Sequence, residues 1–527
     1  MSAHATAGTA VGNLGSSHSA IVDHAGFVRP GHGGFAVDWS VGAEDRWHDP
    51  ADSANVRQEL IGDTPVVETR MRVPGGDIVH RAYAIVPTAA DGGGDVVVVE
   101  LENGSAVPVA VSFGVRPTDG AAAAEGTTVR VAGHPALLLP REPNEIGDDG
   151  TGRVTCTFPL PHSATIRVVV PIEPPATRRG GLFRKAKPTT APQFPAAVPT
   201  TDQVVGGWRS QTDRGMRLVL PDERLQSAVD ANRRFLLLLH RSDDVDFGAA
   251  AQRLAALDRF GFHREVGEAF LPFATDQPRD GALFAKSAEG NAAALWALAH
   301  HWDLTRNDEL VQHLATAVAG AAEFVARRGG GDPWSLAGLR GAPRLLRAAG
   351  EDEAASQAAK LASAAALDDG VPLSEDAFAD LEAMVADASA TWTWKDSEAD
   401  GPSHDSASVA RFCSLARASL VRETADGLAM LSTVPRRWLG QGIEVHDAPT
   451  RLGNLSYGVR WHGERPALLW ELDAHDPDAD VTMTCAGLDP SWSTTELRGE
   501  TLLEAPVDTP VEAGASAPGP EQGDSFG

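Results

Sequence analysis

The sequence predicts a multidomain α+β protein with an N-terminal antiparallel β-sandwich, a central helical region and a small C-terminal β-domain. Changes in hydrophobic periodicity predict this order. Apolar residues alternate with polar ones from about 35 to 170, recur every three or four positions from about 222 to 421, and alternate again from Leu428. Period two is typical of strands and period 3.6 of helices. At 527 residues the chain has room for several domains.

The strand pattern is clearest where Glu68, Arg70 and Arg72 alternate with apolar neighbours. Further β-branched runs follow, separated by Gly and Asp clusters, at 95–101, 107–115 and 165–172. We predict a β-sandwich domain over 18–172. The preceding residues, 1–17, are rich in Ala, Gly, His and Ser, and we expect them to be disordered.

Residues 173–220 interrupt the strand pattern with repeated prolines and a basic cluster that includes Arg178, Arg184 and Lys187. Proline and small residues favour an extended connection over a packed element. We therefore predict a linker or extended wrap. A binding site for an acidic partner is the alternative interpretation of the basic cluster.

A helical period begins behind the Pro221-Asp222 start, which is typical of a helix N-terminus. We predict a helical domain over 221–425 with about nine helices. They are expected near 222–235, 249–259, 263–273, 289–303, 308–328, 334–349, 352–367, 374–388 and 405–421.

Strand patterning returns in a C-terminal β-domain predicted over 426–503. Within it, residues 455–472 are expected to form two strands joined by a His-Gly-Glu-Arg turn. The acidic tail, 504–527, is rich in Pro, Gly, Glu, Ser and Ala, and we expect it to be disordered because it has too little apolar surface to offset the entropy of ordering.

Charge and composition exclude several partners. The chain carries 72 acidic and 45 basic residues, a net charge of -27, which opposes nucleic acid and anionic membrane surfaces. Its densest apolar run, 235–239, is far shorter than the roughly 20 residues of a membrane span. No secretory signal is visible, so we expect a cytoplasmic protein. The oligomeric state stays open.

The cysteines give no reason to expect a metal or another cofactor. Cys156, Cys413 and Cys485 lie far apart, without the paired spacing of a zinc site or the even count of a disulfide framework. We therefore predict buried thiols, no metal site and no cofactor.

The domain order resembles that of the six-hairpin glycosidases, the glucoamylase and glycogen-debranching (amylo-α-1,6-glucosidase)-like (α/α)6 barrel proteins. Local segments carry the resemblance: 255–265 with 291–298 is similar to paired barrel helices, and 391–396 with 431–439 to the closing loop and the exit into the C-terminal sheet. Residues 38–48 resemble the leading sandwich of bacterial proteins associated with such barrels. The resemblance implies a central (α/α) toroid.

The resemblance also implies a carbohydrate partner, a glucan or oligosaccharide, and acid–base hydrolysis. Inverting hydrolysis uses two carboxyl groups roughly 6.5–9.5 Å apart, one protonated and one ionised. By position in the resembling segments, Asp332 is the candidate general acid and Asp396 the candidate general base. Asp332 followed by Pro333 is equally typical of a helix start, with Asp as the N-cap.

Candidate substrate-binding residues follow from the same resemblance, and they are Trp392, Trp394, Trp334, Glu289, Asn291 and Asp244. An indole presents a large apolar face on which a sugar ring can stack. Each candidate has a plainer alternative: the tryptophans as core residues, Glu289 as a complement to a helix dipole, and Asp244 as part of a solvated loop.

The chain also departs from the family pattern. Twelve helices with their loops need roughly 180–216 residues, and the helical region barely reaches that length. Where the closing loop would carry Trp-Pro-Glu, this chain has Trp394-Lys395-Asp396, and the aromatic and Arg-Asp elements expected after the first helix are missing from 241–248. Two hypotheses remain: a glycoside-hydrolase-like enzyme, or a shortened, degenerate barrel that serves as a non-catalytic carbohydrate-binding or interaction protein, a pseudoenzyme.

Overall fold

The computed structural model describes residues 7–88, 91, 93–174, 192–239, 247–277, 280–283, 287–329, 333–362, 377–395 and 402–504. It confirms the predicted multidomain α+β fold, with antiparallel sheets first, helices in the middle and further sheets at the C-terminal side. The predicted disordered tail lies outside the described residues, except for Glu504. Among the described helices, none combines the length and the apolar character that a bilayer crossing requires.

The N-terminal part contains sixteen strands in the described residues. They are β1 (Thr9–Gly12), β2 (Ser19–Val22), β3 (Val28–Pro30), β4 (Phe35–Ala43), β5 (Arg46–His48), β6 (Val56–Leu60), β7 (Val66–Val73), β8 (Gly76–Ile85), β9 (Val96–Asn103), β10 (Val109–Pro117), β11 (Ala122–Glu125), β12 (Thr128–Val131), β13 (His134–Leu138), β14 (Glu145–Asp148), β15 (Val154–Leu160) and β16 (Thr165–Pro171).

These strands form two antiparallel sheets. One has the order β1-β2-β3-β4-β10-β15-β14 with β5 beside β4, and the other has the order β11-β12-β13-β16-β9-β8-β7-β6. Trp39, Phe113 and Phe158 are fully buried in the core between them. Strand alternation directs these side chains inward, as the period-two pattern predicted.

The segment predicted as an extended linker is partly helical. Helix α1 (Thr201–Thr212) begins with a capping box, in which Thr200 and Gln203 each bond the other's backbone N–H. Val205 of α1 packs with Phe194 and Val198 against the outer face of the second sandwich sheet. The prediction of a linker is therefore wrong for these twelve residues. The disordered start predicted over 1–17 is likewise wrong at β1, whose four residues are buried strand residues paired with β2.

The remaining described helices lie close to the predicted positions. They are α2 (Glu223–Leu238), α3 (Phe247–Arg259), α4 (His263–Phe270), α5 (Phe273–Asp276), α6 (Ala288–Thr305), α7 (Asp308–Arg328), α8 (Pro333–Ala348), α9 (Asp352–Ala362), α10 (Ala377–Asp387) and α11 (Ser406–Leu420). The exception is α5, which was not predicted as a separate helix, and of the predicted ranges 363–367 and 374–376 lie outside the described residues. Helix α7 occupies the predicted range 308–328.

Helices α3, α6, α8 and α11 run parallel to one another. At their C-terminal ends, the Asp258 carboxylate of α3 meets His301 of α6 at 2.8 Å, and Asp303 of α6 meets Arg344 of α8 at 3.0 Å. Arg253, midway along α3, donates to Ser406 at the start of α11 at 3.1 Å, and Arg259 and Arg417, in the last turns of α3 and α11, interact electrostatically. The N-termini of all four helices therefore lie at one end of the helical domain, and we call it the N-terminal end.

Small residues bring α6 and α8 into close contact. A Cβ atom on Gly338 would lie 2.4 Å from the Ala292 carbonyl oxygen, and one on Gly341 would lie 2.6 Å from the Ala299 Cβ. Only glycine permits this separation. The helices pack in the series α10, α11, α3, α6, α8 and α9, and in the described residues no extensive packing joins α8 or α9 to α10 or α11.

The C-terminal sheets close the other end of the helical domain. Their strands and two further short ones are β17 (Arg217–Val219), β18 (Trp394–Lys395), β19 (Pro402–Ser403), β20 (Val421–Thr424), β21 (Gly427–Met430), β22 (Ile443–Thr450), β23 (Gly453–His462), β24 (Arg465–Ala474), β25 (Thr482–Cys485), β26 (Asp489–Thr494) and β27 (Arg498–Leu502). Strands β23 and β24 form the predicted hairpin. Arg417 of α11 donates to the Pro449 carbonyl at 2.7 Å, which joins the helices to these sheets.

Replacing Gly338 by Ala should destabilise the protein. The new methyl group would overlap a backbone carbonyl, and overpacking of this kind typically costs about 1–3 kcal/mol. Urea unfolding measures the change. Gly206→Ala is the matched control, because Gly206 is also helical but a Cβ there meets no atom within 4 Å. It should be neutral or stabilise by up to about 1 kcal/mol. Equal effects of the two variants would contradict the close packing of α6 and α8.

Candidate functional site

The residues predicted to form the site belong to the connections that enter the four parallel helices at the N-terminal end. Glu289 and Asn291 lie in the first turn of α6, Trp334 lies in the first turn of α8, and Trp392 and Trp394 lie in the segment before α11. Asp244, Asp332 and Asp396 lie outside the described residues; in sequence they precede α3, α8 and α11. Parallel helix N-termini also concentrate positive dipole ends at this end of the domain.

Strand β1 joins the sandwich to the segment before α11. The Thr9 hydroxyl donates to the Thr391 hydroxyl at 2.7 Å, and the Ala10 N–H donates to His404 Nδ1 at 3.1 Å. Gly8 and Ser403 form a parallel β-bridge. These contacts span almost the whole chain, so they fix the position of the sandwich edge over the N-terminal end of the helices.

His404 is the buried polar residue at this junction. Its ring stacks on Phe235 of α2, with ring centroids 3.6 Å apart, and 8% of the residue is exposed. Burial lowers the pKa of His404 to about 3. Because Nδ1 accepts a backbone N–H, Nε2 carries the proton of the neutral ring. Sequence reasoning did not select His404, because its burial depends on β1 and α2, which are distant in sequence.

The neighbouring Asp405 has a structural role. Its carboxylate caps α11 by accepting from Ala407 N at 3.2 Å and Ser408 N at 2.9 Å. The run His404-Asp405-Ser406 contains the residue types of a catalytic triad, but here the aspartate is committed to the helix start and not to the histidine.

Trp392 and Trp394 are covered by protein. Each is 7% exposed, and the Trp394 indole donates to the Met384 carbonyl at 2.9 Å and packs on Phe412. The Arg224 guanidinium lies over the Trp392 ring, 6.0 Å from its centroid. Stacking on a sugar needs an open ring face, so the substrate-binding role predicted for this pair would require these neighbours to move.

The other described candidates differ in exposure. Asn291 is fully buried; its amide donates to the Ser287 carbonyl at 2.6 Å and its side-chain oxygen accepts from the Leu283 N–H, so it orders the entry into α6. Trp334 is half-buried and packs edge-on against Trp296, with ring centroids 5.4 Å apart. Glu289 is exposed in the first turn of α6, and its side chain is open to solvent and to a ligand.

A cluster at the opposite end, in which Asp258 and His301 are buried and His263 is partly exposed, could offer metal ligands. Asp258, His263 and His301 place one ligand atom each within 4.8 Å of one another. However, both imidazole Nδ1 atoms lie within hydrogen-bond distance of the same carboxylate oxygen, at 2.9 and 2.8 Å. Burial opposes ionisation of Asp258, but the hydrogen bonds from the two histidines outweigh it and lower the pKa. The cluster therefore has the geometry of a hydrogen-bonded anchor between α3, α4 and α6.

The comparisons with known proteins found likeness only among solved structures. No protein-family model and no curated protein matches the sequence. Among solved structures, the chain is similar to a bacterial glucoamylase complexed with acarbose, at 10% identity and a TM-score of 0.42, over 68% of this chain and 66% of that chain. A likeness of this size decides neither activity nor substrate, so both remain proposals.

Replacing Asp258 by Asn should destabilise the protein by about 2–4 kcal/mol, because two imidazole N–H groups would lose a buried carboxylate acceptor. Chemical denaturation measures the loss. Asp380→Asn is the control, since among the described residues Asp380 has a single long surface pair, with Arg411 at 4.0 Å, and such pairs contribute less than about 1 kcal/mol. If Asp258→Asn is no more destabilising than Asp380→Asn, the anchor is not required.

Three histidines whose pKa is lowered in the folded protein predict a loss of stability in mild acid. Burial lowers the pKa of His80, His300 and His404 to about 3. Since an unfolded histidine has a pKa near 6.5, the unfolded chain binds protons that the folded chain does not as the pH falls below about 6.5. The free energy of unfolding should fall by about 1.4 kcal/mol per histidine for each pH unit, down to about pH 3.

Urea unfolding between about pH 7.5 and 5.5 measures this slope, and His404→Gln, which cannot titrate, should reduce it. A slope that His404→Gln leaves unchanged would contradict the neutral, buried state of His404.

Proposed function

We propose that this chain is a carbohydrate-binding protein of six-hairpin glycosidase type, related to the glycogen-debranching-like branch, that binds an α-linked glucan or oligosaccharide without hydrolysing it. Binding takes place at the N-terminal end of α3, α6, α8 and α11. We assign the protein to the cytoplasm, in line with three cysteines that are all free and buried.

One observation carries the proposal. The resemblance placed the candidate site residues in four separate stretches of the sequence. In the structure, the described parts of those stretches lie next to the N-termini of α3, α6, α8 and α11, at one end of the helical domain. Inward-facing connections at one end of a helical bundle are a usual position for a ligand site.

Two features favour binding without turnover. Trp392 and Trp394 are covered by α2, α10 and α11, so they do not form an open stacking platform. In the described residues the helices also pack as an open series and not as a closed ring of twelve. Hydrolysis needs a site that positions two carboxyl groups and excludes bulk water, and an open series provides a poor enclosure.

Hydrolysis by Asp332 and Asp396 is the second candidate function. Asp332 directly precedes Pro333 at the start of α8, and Asp396 follows Trp394 and Lys395 of β18. Their positions in the sequence, directly before α8 and in the connection before α11, support the enzymatic alternative.

A glycan array on the purified protein, coupled to measurement of sugar release from each bound glycan, tests the proposal. We expect binding of α-linked glucans and no release of monosaccharide. Release that disappears in both Asp332→Asn and Asp396→Asn would establish the hydrolase instead. No binding to any glycan would refute the carbohydrate assignment.

Glu289→Gln locates the binding site. A carboxylate that accepts a sugar hydroxyl contributes roughly 1.5–3 kcal/mol, so binding should weaken at least about tenfold. Glu309→Gln is the matched control, because Glu309 is also an exposed first-turn glutamate but begins α7, which is not one of the four parallel helices. Equal weakening by the two variants would show a general charge effect and not a site at α6.

A further inference from the structure

A cavity lined by four arginines lies at the end of the helical domain opposite the proposed carbohydrate site. It has a volume of about 520 Å³ and is lined mainly by Arg306, Arg344, Arg347, Arg451 and Trp302. These residues come from the last turns of α6 and α8 and from the turn between β22 and β23. Four guanidinium groups around one cavity stand out in a chain whose net charge is -27.

Two of the arginines, Arg306 and Arg451, are held in place by neighbouring groups. Arg306 lies over the Trp302 ring, 4.4 Å from its centroid, and donates to the Arg451 carbonyl at 2.9 Å. Arg451 in turn donates to the backbone carbonyls of Thr424 and Ala425. Each guanidinium has five N–H donors, so these contacts orient the groups and leave donors available.

The cavity keeps an excess of positive charge. Among the described lining residues Asp303 is the one acidic side chain, and it pairs with Arg344 at 3.0 Å. Glu423 lies close to Arg451, at 3.8 Å between Nε and a carboxylate oxygen. Arg347 is exposed and forms no ion pair with any described side chain. Among the described residues, the lining therefore holds four positive charges against one negative charge. Two further carboxylates lie beside it: Glu423, and Asp308, which accepts from the Trp302 indole at 2.8 Å.

Helix dipoles explain only part of this arrangement. A cation near a helix C-terminus is favourable, which accounts for Arg306 after α6 and Arg347 in the last turn of α8. It does not account for Arg451, which comes from a β-turn in the C-terminal domain, nor for the cavity that the arginines share.

We infer that this cavity is a binding site for a small phosphate-bearing anion, such as inorganic phosphate, pyrophosphate or a phosphorylated sugar. The planar guanidinium fork matches the oxygens of a phosphate group and can bind two of them at once. The volume falls within the range of about 300–1,000 Å³ typical of small-molecule sites. Trp302, Ala348 and Leu452 supply apolar surface for an organic part of the ligand.

This site is separate from the proposed carbohydrate site. Ser287 and Asp303 lie at opposite ends of α6, and at 1.5 Å per residue the two ends are about 24 Å apart. The outcome of an anion-binding experiment is therefore independent of the glycan array.

Isothermal titration calorimetry with phosphate, pyrophosphate and glucose 1-phosphate, at constant ionic strength, tests the inference. We expect at least one of them to bind saturably at one site per chain with a Kd of about 1 mM or lower. The order of the three affinities shows whether the sugar of glucose 1-phosphate contributes to binding. Absence of saturable binding up to about 10 mM of all three would overturn the inference.

Arg344→Gln and Arg347→Gln should each weaken binding at least about fivefold, whereas Arg328→Gln should leave it unchanged. Arg328 is the matched control, because it is also an exposed arginine in the last turn of a helix, α7, but lies outside the cavity. Circular dichroism checks that each variant is folded. Equal weakening by all three variants would indicate nonspecific attraction to charge and would overturn the site.

Discussion

The close contact between α6 and α8 is the constraint on which both ends of the helical domain depend. Gly338 and Gly341 let α8 approach Ala292 and Ala299 to distances that any side chain at the two glycines would prevent. The contact aligns the two helices in parallel, with their N-termini together and their C-termini together. One end can therefore gather the connections that enter the helices, while the other gathers the arginines of their last turns.

The two ends differ in how they are covered. At the N-terminal end, α2, α10 and α11 cover Trp392 and Trp394, and β1 and α2 cover His404, so the exposed polar group among the described candidates is Glu289. At the C-terminal end, Arg306 and Arg417 attach the helices to the carbonyls of the C-terminal sheets. The first arrangement supports binding without turnover, and the second creates a positively charged cavity in an acidic protein.

Local periodicity predicted most of the fold, because strand and helix repeats each mark a buried face. It missed α1, whose capping box follows a proline-rich stretch and whose interior contains Gly206 and Gly207, both poor helix formers. It also missed β1, which is too short to show an alternation.

Of the candidate site residues, Glu289 was recognisable from the sequence as an acidic residue in the first turn of a helix. The burial of Trp392 and of His404 could not be predicted from the sequence, because the residues that cover them, Arg224 and Phe235, lie more than 150 positions away in sequence. One feature of the sequence pointed to the arginine cavity. Arg340, Arg344 and Arg347 recur at helical spacing and form a basic face along α8.

Hydrogen–deuterium exchange with and without maltoheptaose tests the central claim most directly, because it reports which end of the helical domain a glucan contacts. The account predicts slower exchange in peptides that contain the starts of α3, α6, α8 and α11 and the segment with Trp392, and no change at the C-terminal sheets. Protection confined to the C-terminal sheets or to the sandwich would contradict the assignment of the N-terminal end as the carbohydrate site.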